Sequence, residues 1–254
     1  MTNDARSFTM MSMRSFSRTP EGVAARQGLA VALATSAYGI SFGALSVASG
    51  LDVWQTCVLS LLMFTGGSQF AFVGVIAAGG VAAAPAAIAS AVLLGVRNAA
   101  YAMRMAPVVA GGFWRKAGAT QFTIDESVAV GLAQTQPRAR QVGFWVTGVA
   151  IWVGWNLSTL LGALLGDVLG DPRAYGLDAA AAAAFLALLW PRLRGRQPLA
   201  VAAGAAVVAA LLTPVLMPGI PVIAAAGVAV AVGLFDPRRP TPDPARVAEE
   251  KGMP

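Results

Sequence analysis

Between Gly28 and Phe235 the chain is a succession of apolar segments that reach or approach the ~20 residues a helix needs to cross a bilayer. The segments are Gly28–Gly50, Trp54–Gly79, Val81–Val109, Gly143–Gly166, Leu177–Trp190, Leu199–Leu212 and Ile220–Phe235. Only 12% of the residues are charged, against about 25% in a soluble globular domain. In hydrocarbon every backbone polar group must be satisfied internally, which leaves helices or closed barrels. Continuous runs of this length favour helices. The expected fold is therefore all-α: a polytopic integral membrane bundle of about seven hydrophobic segments, occupying residues 28–235. Residues 1–27 are expected as a cytoplasmic N-terminal tail. The proline- and charge-rich residues 236–254 are expected as a disordered cytoplasmic C-terminal tail.

The net charge of +6 does not point to nucleic acid, because the cations lie in the ends and short loops. Arg6, Arg14, Arg18 and Arg26 precede the first segment, and Arg115 and Lys116 follow the third. Arg138 and Arg140 precede the fourth, Arg192, Arg194 and Arg196 follow the fifth, and Arg238, Arg239, Arg246 and Lys251 end the chain. The other loops hold Asp52, then Asp167, Asp171 and Asp178 with a single Arg173. Cations gather on the cytoplasmic side of membrane proteins, so both termini are expected in the cytoplasm. The first half resists plain crossings, because three of them would put Arg115 and Lys116 outside. Either Trp54–Gly79 dips in and returns as a broken hairpin, or Gln121–Gln134 crosses as an extra short helix. The apolar run at Gly28 is longer than the ~7–15 residues of a signal-peptide core, so it is expected to remain as a first span.

Inside the third segment stands Arg97. A cation near the centre of a bilayer costs roughly 2.5–3.5 kcal/mol on insertion scales, and such residues face the protein interior or a wet cavity. On a helix Ser90, Arg97, Tyr101 and Arg104 share a face. The planar guanidinium fork of Arg97, with Tyr101, can grip a carboxylate. The alternative is a structural pair with a buried acid. Arg104 lies nearer the basic end, where snorkelling to the headgroups suits it.

The stretch Thr65-Gly66-Gly67-Ser68-Gln69-Phe70 interrupts the second segment. Paired glycines weaken a helix by up to ~1 kcal/mol each relative to alanine and admit a ligand close to the backbone. Ser68 is expected to cap a new half-helix whose free N–H groups face an anion. Discontinuous helices of this kind form substrate sites in secondary transporters. The alternative is close packing of an ordinary helix.

Asp125 and Glu126 open an apolar run. They can take a substrate ammonium or a coupling proton. Thr123-Ile124-Asp125-Glu126 also has the spacing of a capping box with Thr123 as cap. Asn156 can line the path or bond across helices. Gly39-x-x-x-Gly43 and Gly162-x-x-x-Gly166 are spacings for close helix contact. Gly43-Ala44-Leu45 recurs as Gly162-Ala163-Leu164, too short a match to establish a repeat.

Histidine is absent and Cys57 is the one cysteine, so the usual proton shuttle, an intramolecular disulfide and a cysteine-rich metal site are excluded. The chain holds no nucleotide-binding loop, HExxH zinc motif or dinucleotide fingerprint. Neither an enzyme nor a cofactor is expected.

Tyr38-Gly39-Ile40-Ser41-Phe42-Gly43, Phe64-Thr65-Gly66-Gly67-Ser68-Gln69-Phe70, the stretch Arg97 to Tyr101 and Asp125-Glu126 occur in an order that resembles the AzlC family. The likeness covers most of residues 25–235. It implies a bacterial inner-membrane permease that exports valine, leucine and isoleucine. It also implies a small hydrophobic partner of the AzlD type and possible coupling to protons. Where the family carries an Asn-x-Arg-His run, this chain has Gly95 and Asn98 around Arg97, which removes a candidate proton carrier and bears on the substrate. The expected substrate-binding residues are Gly66, Gly67, Ser68, Gln69, Arg97, Asn98, Tyr101, Asp125 and Glu126. Met63, Phe64, Phe70 and Phe72 are candidates for an apolar pocket, with lipid- or core-facing packing as the favoured alternative. A non-transporting membrane subunit, or a carrier of another small carboxylate, is the alternative.

Overall fold

In the computed structural model, residues 19–169, 186, 189, 190, 193–217 and 219–235 are described. Helix α1 runs over Pro20–Ala48, α2 over Val53–Leu62 and α3 over Gly67–Gly79. A 3₁₀ turn at Val81–Ala83 leads into α4, Ala84–Val109. Then come α5 (Phe113–Thr120), α6 (Asp125–Leu132), α7 (Pro137–Leu169), α8 (Arg196–Leu212) and α9 (Ile220–Phe235). Among the described residues the fold is all-helical, as expected.

Three stretches are long and apolar enough to cross a membrane: Pro20–Ala48, Val81–Val109 and Pro137–Val168. The apolar helices α2, α3, α8 and α9 are shorter. At 1.5 Å per residue, α2 and α3 reach ~15 and ~20 Å, against ~30 Å of hydrocarbon. So the second segment is discontinuous near Gly66–Gly67, as expected. The fifth segment lies almost wholly outside the described residues, as do residues 1–18 and 236–254.

The chain divides into two compact units, one carrying α1–α7 and the other α8 and α9. In the second unit α8 and α9 pack as a pair, with Gly204 on α8 facing Val228 on α9.

Local chemistry sets the boundaries. Helix α1 begins ahead of the apolar run because Pro20 suits a first turn and Thr19 Oγ1 accepts from Gly22 N at 3.1 Å. Helix α2 has a capping box: Gln55 N donates to Asp52 Oδ1 at 2.7 Å, and Asp52 N to Gln55 Oε1 at 3.0 Å.

The spine of the first unit is the seam between α1 and α7. Gly28 faces Thr147, Gly39 faces Trp155 and Ser158, Gly43 faces Thr159 and Ala163, and Gly166 faces Ala44. The numbers rise together, so the two helices are parallel. The two Gly-x-x-x-Gly spacings therefore meet each other. A β-carbon on Gly43 or Gly162 would collide with the backbone oxygen of Thr159 or Ile40.

Parallel α1 and α7 define two ends. Gln134 Nε2 donates to Gln27 Oε1 at 2.9 Å, so the basic starts of both helices share an end. Leu51, at the start of α2, packs with Val75, Ile76, Ala83 and Ala87. The entrance of α2 is thus beside the exit of α3 and the start of α4. Gly67, at the start of α3, lies against Leu94 and Arg97, far down α4. Helices α2 and α3 are therefore two arms of a hairpin that enters from the far end and returns to it. This is the path that keeps Arg115 and Lys116 with the other cations.

A second hairpin, α5–α6, enters from the basic end. Helix α6 runs antiparallel to α7: Phe122 faces Gly148, Val130 faces Gly143, and Gly131 faces Arg140 and Phe144. Both arms are too short to span, so the extra crossing over Gln121–Gln134 does not form. The two hairpin tips meet where Gln121 Nε2 donates to the Leu61 carbonyl at 2.8 Å. Each hairpin thus follows a long helix, α1 or α4, and the two enter from opposite ends. This inverted repeat of topology has no counterpart repeat in the sequence.

Below the first break sits the core. Phe70 meets Phe42 edge-on at 5.6 Å and Trp155 edge-on at 6.2 Å, and Phe42 stacks on Trp155 at 6.0 Å. Phe64, Val73, Ile124 and Ile151 join them. Of the four candidates for an apolar pocket, Phe64 and Phe70 take the packing role, holding α3 against α1 and α7. Outward-facing apolar side chains such as Leu33, Val96, Leu157 and Val168 are exposed, as suits contact with lipid.

Candidate functional site

The break in the first hairpin has a defined geometry. Gly66 has φ +62°, a left-handed conformation that glycine adopts without steric cost. Its N–H donates to Gln69 Oε1 at 3.1 Å. Gly66 is the cap of α3 and Gln69 reaches back to it, so the expected cap at Ser68 is displaced to Gly66. Ser68 is instead inside the first turn, and its Oγ is buried without a hydrogen-bond partner among the described residues. First-turn N–H groups have no carbonyl one turn earlier, so the start of α3 presents unpaired donors and the positive end of its dipole.

Arg97 reaches this break from α4. Its Nη1 forms a salt bridge with Asp125 Oδ2 at 3.0 Å. Its Nη2 lies 3.1 Å from where a β-carbon on Gly67 would stand. The side chains of Arg97 and Asp125 keep 30% and 22% exposure, so the pair is half-buried and reachable. Asp125 is the first residue of α6. Two half-helix starts, one from each hairpin, therefore converge on one guanidinium. The structural-pair alternative for Arg97 is thus realised in this state, with Asp125 as the acid.

The start of α6 is capped differently from expectation. Thr123 Oγ1 donates to the Ala119 carbonyl at 2.8 Å, while Ile124 N donates to Ser127 Oγ at 3.1 Å. Ile124 is the cap, and the Thr123–Glu126 box does not form because the Thr123 hydroxyl is held by the preceding turn. Asp125 and Glu126 remain in the first turn, where the helix dipole favours negative charge.

Asn98 Nδ2 donates to the Thr123 carbonyl at 3.3 Å, tying α4 to the second tip. Several buried polar atoms on α4 and around the first break have no partner among the described residues: Thr65 Oγ1, Gln69 Nε2, Ser90 Oγ, Arg97 Nε and Asn98 Oδ1, with Ser68 Oγ. Unsatisfied buried polar atoms are costly, and those on Thr65, Ser68, Gln69, Arg97 and Asn98 leave the break able to take further polar contacts.

The site thus gathers Gly66, Gly67, Ser68, Gln69, Arg97, Asn98 and Asp125, with Glu126 adjacent in sequence. Tyr101, one turn beyond Arg97 on α4, is half-buried and packs against the cluster that holds Met105, Val109 and Phe144. Arg104 is exposed, as snorkelling requires. Asn156 Nδ2 bonds back to the Trp152 carbonyl of its own helix at 2.7 Å, so this bond does not cross helices. Sequence reasoning missed Gln121 and Leu61, which join the tips. A lone glutamine in an uncharged stretch is the faint signal that could have marked the first. A backbone carbonyl leaves none.

No curated protein and no solved structure matches the chain. The AzlC protein family matches residues 30–169, more than half of the chain, and this range holds both hairpins and the Arg97 site. A membrane bundle of broken helices around a half-buried cation, and a match of that extent, make the chain a member of the AzlC family, related to membrane transport.

Proposed function

We propose that this protein carries branched-chain amino acids out of a bacterial cell across the inner membrane, as the large subunit of a two-component permease. The observation that carries this is the half-buried Arg97–Asp125 pair where two half-helix starts meet. A zwitterion has a carboxylate for the guanidinium and an ammonium for Asp125. It can open the pair by offering each partner a substitute, so no charge is left bare in a low-dielectric site. The first-turn N–H groups of α3 and the Ser68 hydroxyl supply further donors to the carboxylate. Glu126 adds a second acid near the ammonium.

Alternating access follows from the two hairpins. Each closes one end of the bundle, and release to either side needs one tip to withdraw from the other. Broken helices from opposite topologies play this part in secondary transporters. Export is coupled to the proton gradient, with Asp125 or Glu126 as the carrier of the coupling proton. A small hydrophobic partner of the AzlD type covers part of the apolar outer face.

The test is counterflow of labelled leucine in liposomes, with this chain alone and with an AzlD-type partner. Wild type exchanges leucine, and Arg97→Ala does not. Folded wild-type protein that exchanges no leucine under either condition would sink the amino acid reading. Exchange of a simple carboxylate instead would move the substrate to that class.

A further inference from the structure

A cavity of about 400 Å³ lies between the second half of α4 and helix α5. Ala102, Met105, Ala106, Val109 and Phe113 line it, and Lys116 is the charged residue of its wall. Lys116 and its neighbour Arg115 are both exposed, and among the described residues neither pairs with an acid. The adjoining Phe113 and Trp114 are 73% and 84% exposed, ring against ring at 5.1 Å. Exposed aromatic rings beside cations are the signature of a helix at the membrane–water interface. An apolar slot behind such a helix, with an unpaired cation in its wall, matches a molecule with a hydrocarbon tail and a negative head.

We infer that this cavity binds one anionic phospholipid, with an acyl chain between α4 and α5 and its phosphate at Lys116. The choice of an anionic lipid rests on charge complementarity. Among the described residues the wall offers a cation with no acidic partner, and no acid lines it to receive the choline or ethanolamine of a zwitterionic lipid. Each cation near an anionic surface contributes about 1 kcal/mol, which converts to about fivefold in association per cation. The site is distinct from the Arg97 pair, but its wall includes Thr123, whose carbonyl holds Asn98. Lipid in the cavity would therefore brace the second hairpin tip.

The experiment is quenching of Trp114 fluorescence by brominated lipids in vesicles, isolated as the difference between wild type and Trp114→Phe. Brominated phosphatidylglycerol is expected to bind about fivefold more tightly than brominated phosphatidylcholine, with the preference lost in Lys116→Gln. Ala106→Phe should weaken quenching from the cavity by filling it. If that variant does not fold, Lys116→Gln still decides, because it removes charge from an exposed side chain. Equal quenching by the two lipids in wild type would overturn the inference. So would a preference unchanged in Lys116→Gln, or displacement of the lipid by free leucine, which would assign the cavity to the transport path. Leucine counterflow is not the readout, so this inference and the transport proposal fail separately.

Discussion

Gly67 and Arg97 are in contact across the first break: a β-carbon at Gly67 would stand 3.1 Å from Arg97 Nη2. That is tighter than ordinary contact, so even a methyl group would push the guanidinium by a few tenths of an ångström. Gly67 is in the first turn of α3 and has no left-handed backbone, so alanine suits its conformation. Gly67→Ala should leave the protein at least as stable, since alanine is better in a helix by up to ~1 kcal/mol. Leucine counterflow should nevertheless weaken, with KM rising more than the maximal rate falls. Unchanged transport together with a raised Tm would show that the guanidinium need not hold its present place.

Removing one partner of the Arg97–Asp125 pair strands the other. Exposed pairs contribute ~1 kcal/mol or less, and breaking a fully buried pair costs ~3–5 kcal/mol. This pair is half-buried, so Asp125→Asn should cost an amount between these limits. Reversing the pair, Arg97→Asp with Asp125→Arg, should regain part of the stability and none of the transport, since the donors around Gly67 would then face a carboxylate of the protein in place of the guanidinium. Thermal unfolding in detergent and counterflow on the same preparations check both halves.

The glycine seam predicts a contrast. A β-carbon on Gly162 would collide with the Ile40 carbonyl, and one on Gly74 meets nothing within 4 Å. Gly162→Ala should push α1 from α7 and destabilise by ~1–3 kcal/mol or more, as overpacking does. Gly74→Ala should be neutral or slightly stabilising. Unfolding of both variants in one detergent gives the comparison, and equal stability would contradict the close parallel seam.

Gln121 and Leu61 join the two tips, and transport requires the tips to part. Their hydrogen bond is worth about 1 kcal/mol net. Gln121→Ala should therefore change the exchange rate several-fold while leaving leucine affinity nearly constant. In a Cys57→Ala background, cysteines at Leu61 and Gln121 joined by a short bifunctional reagent should block exchange. Full exchange by the cross-linked protein would mean that the tips do not gate.

The helical class, the long runs and the break at Gly66–Gly67 were legible in the sequence because they rest on local physics. Hydrocarbon demands internally bonded backbone, Arg97 is costly where it stands, and paired glycines weaken a helix, though the residues alone left close packing of an unbroken helix equally open. The positions of the cations favoured the hairpin path for the first half but left the extra crossing open, and the short arms packed against α4 and α7 decided it. What sequence could not supply was pairing in space. Nothing local says that the two Gly-x-x-x-Gly spacings face each other, or that Asp125 on one hairpin meets Arg97 beside the tip of another. Nor does spacing decide between Thr123 and Ile124 as the cap of α6, because the Thr123 hydroxyl is claimed by Ala119 in the turn before. These outcomes depend on close approach between segments far apart in the chain. The absence of a side chain, or a carbonyl already taken, decides there which neighbour fits.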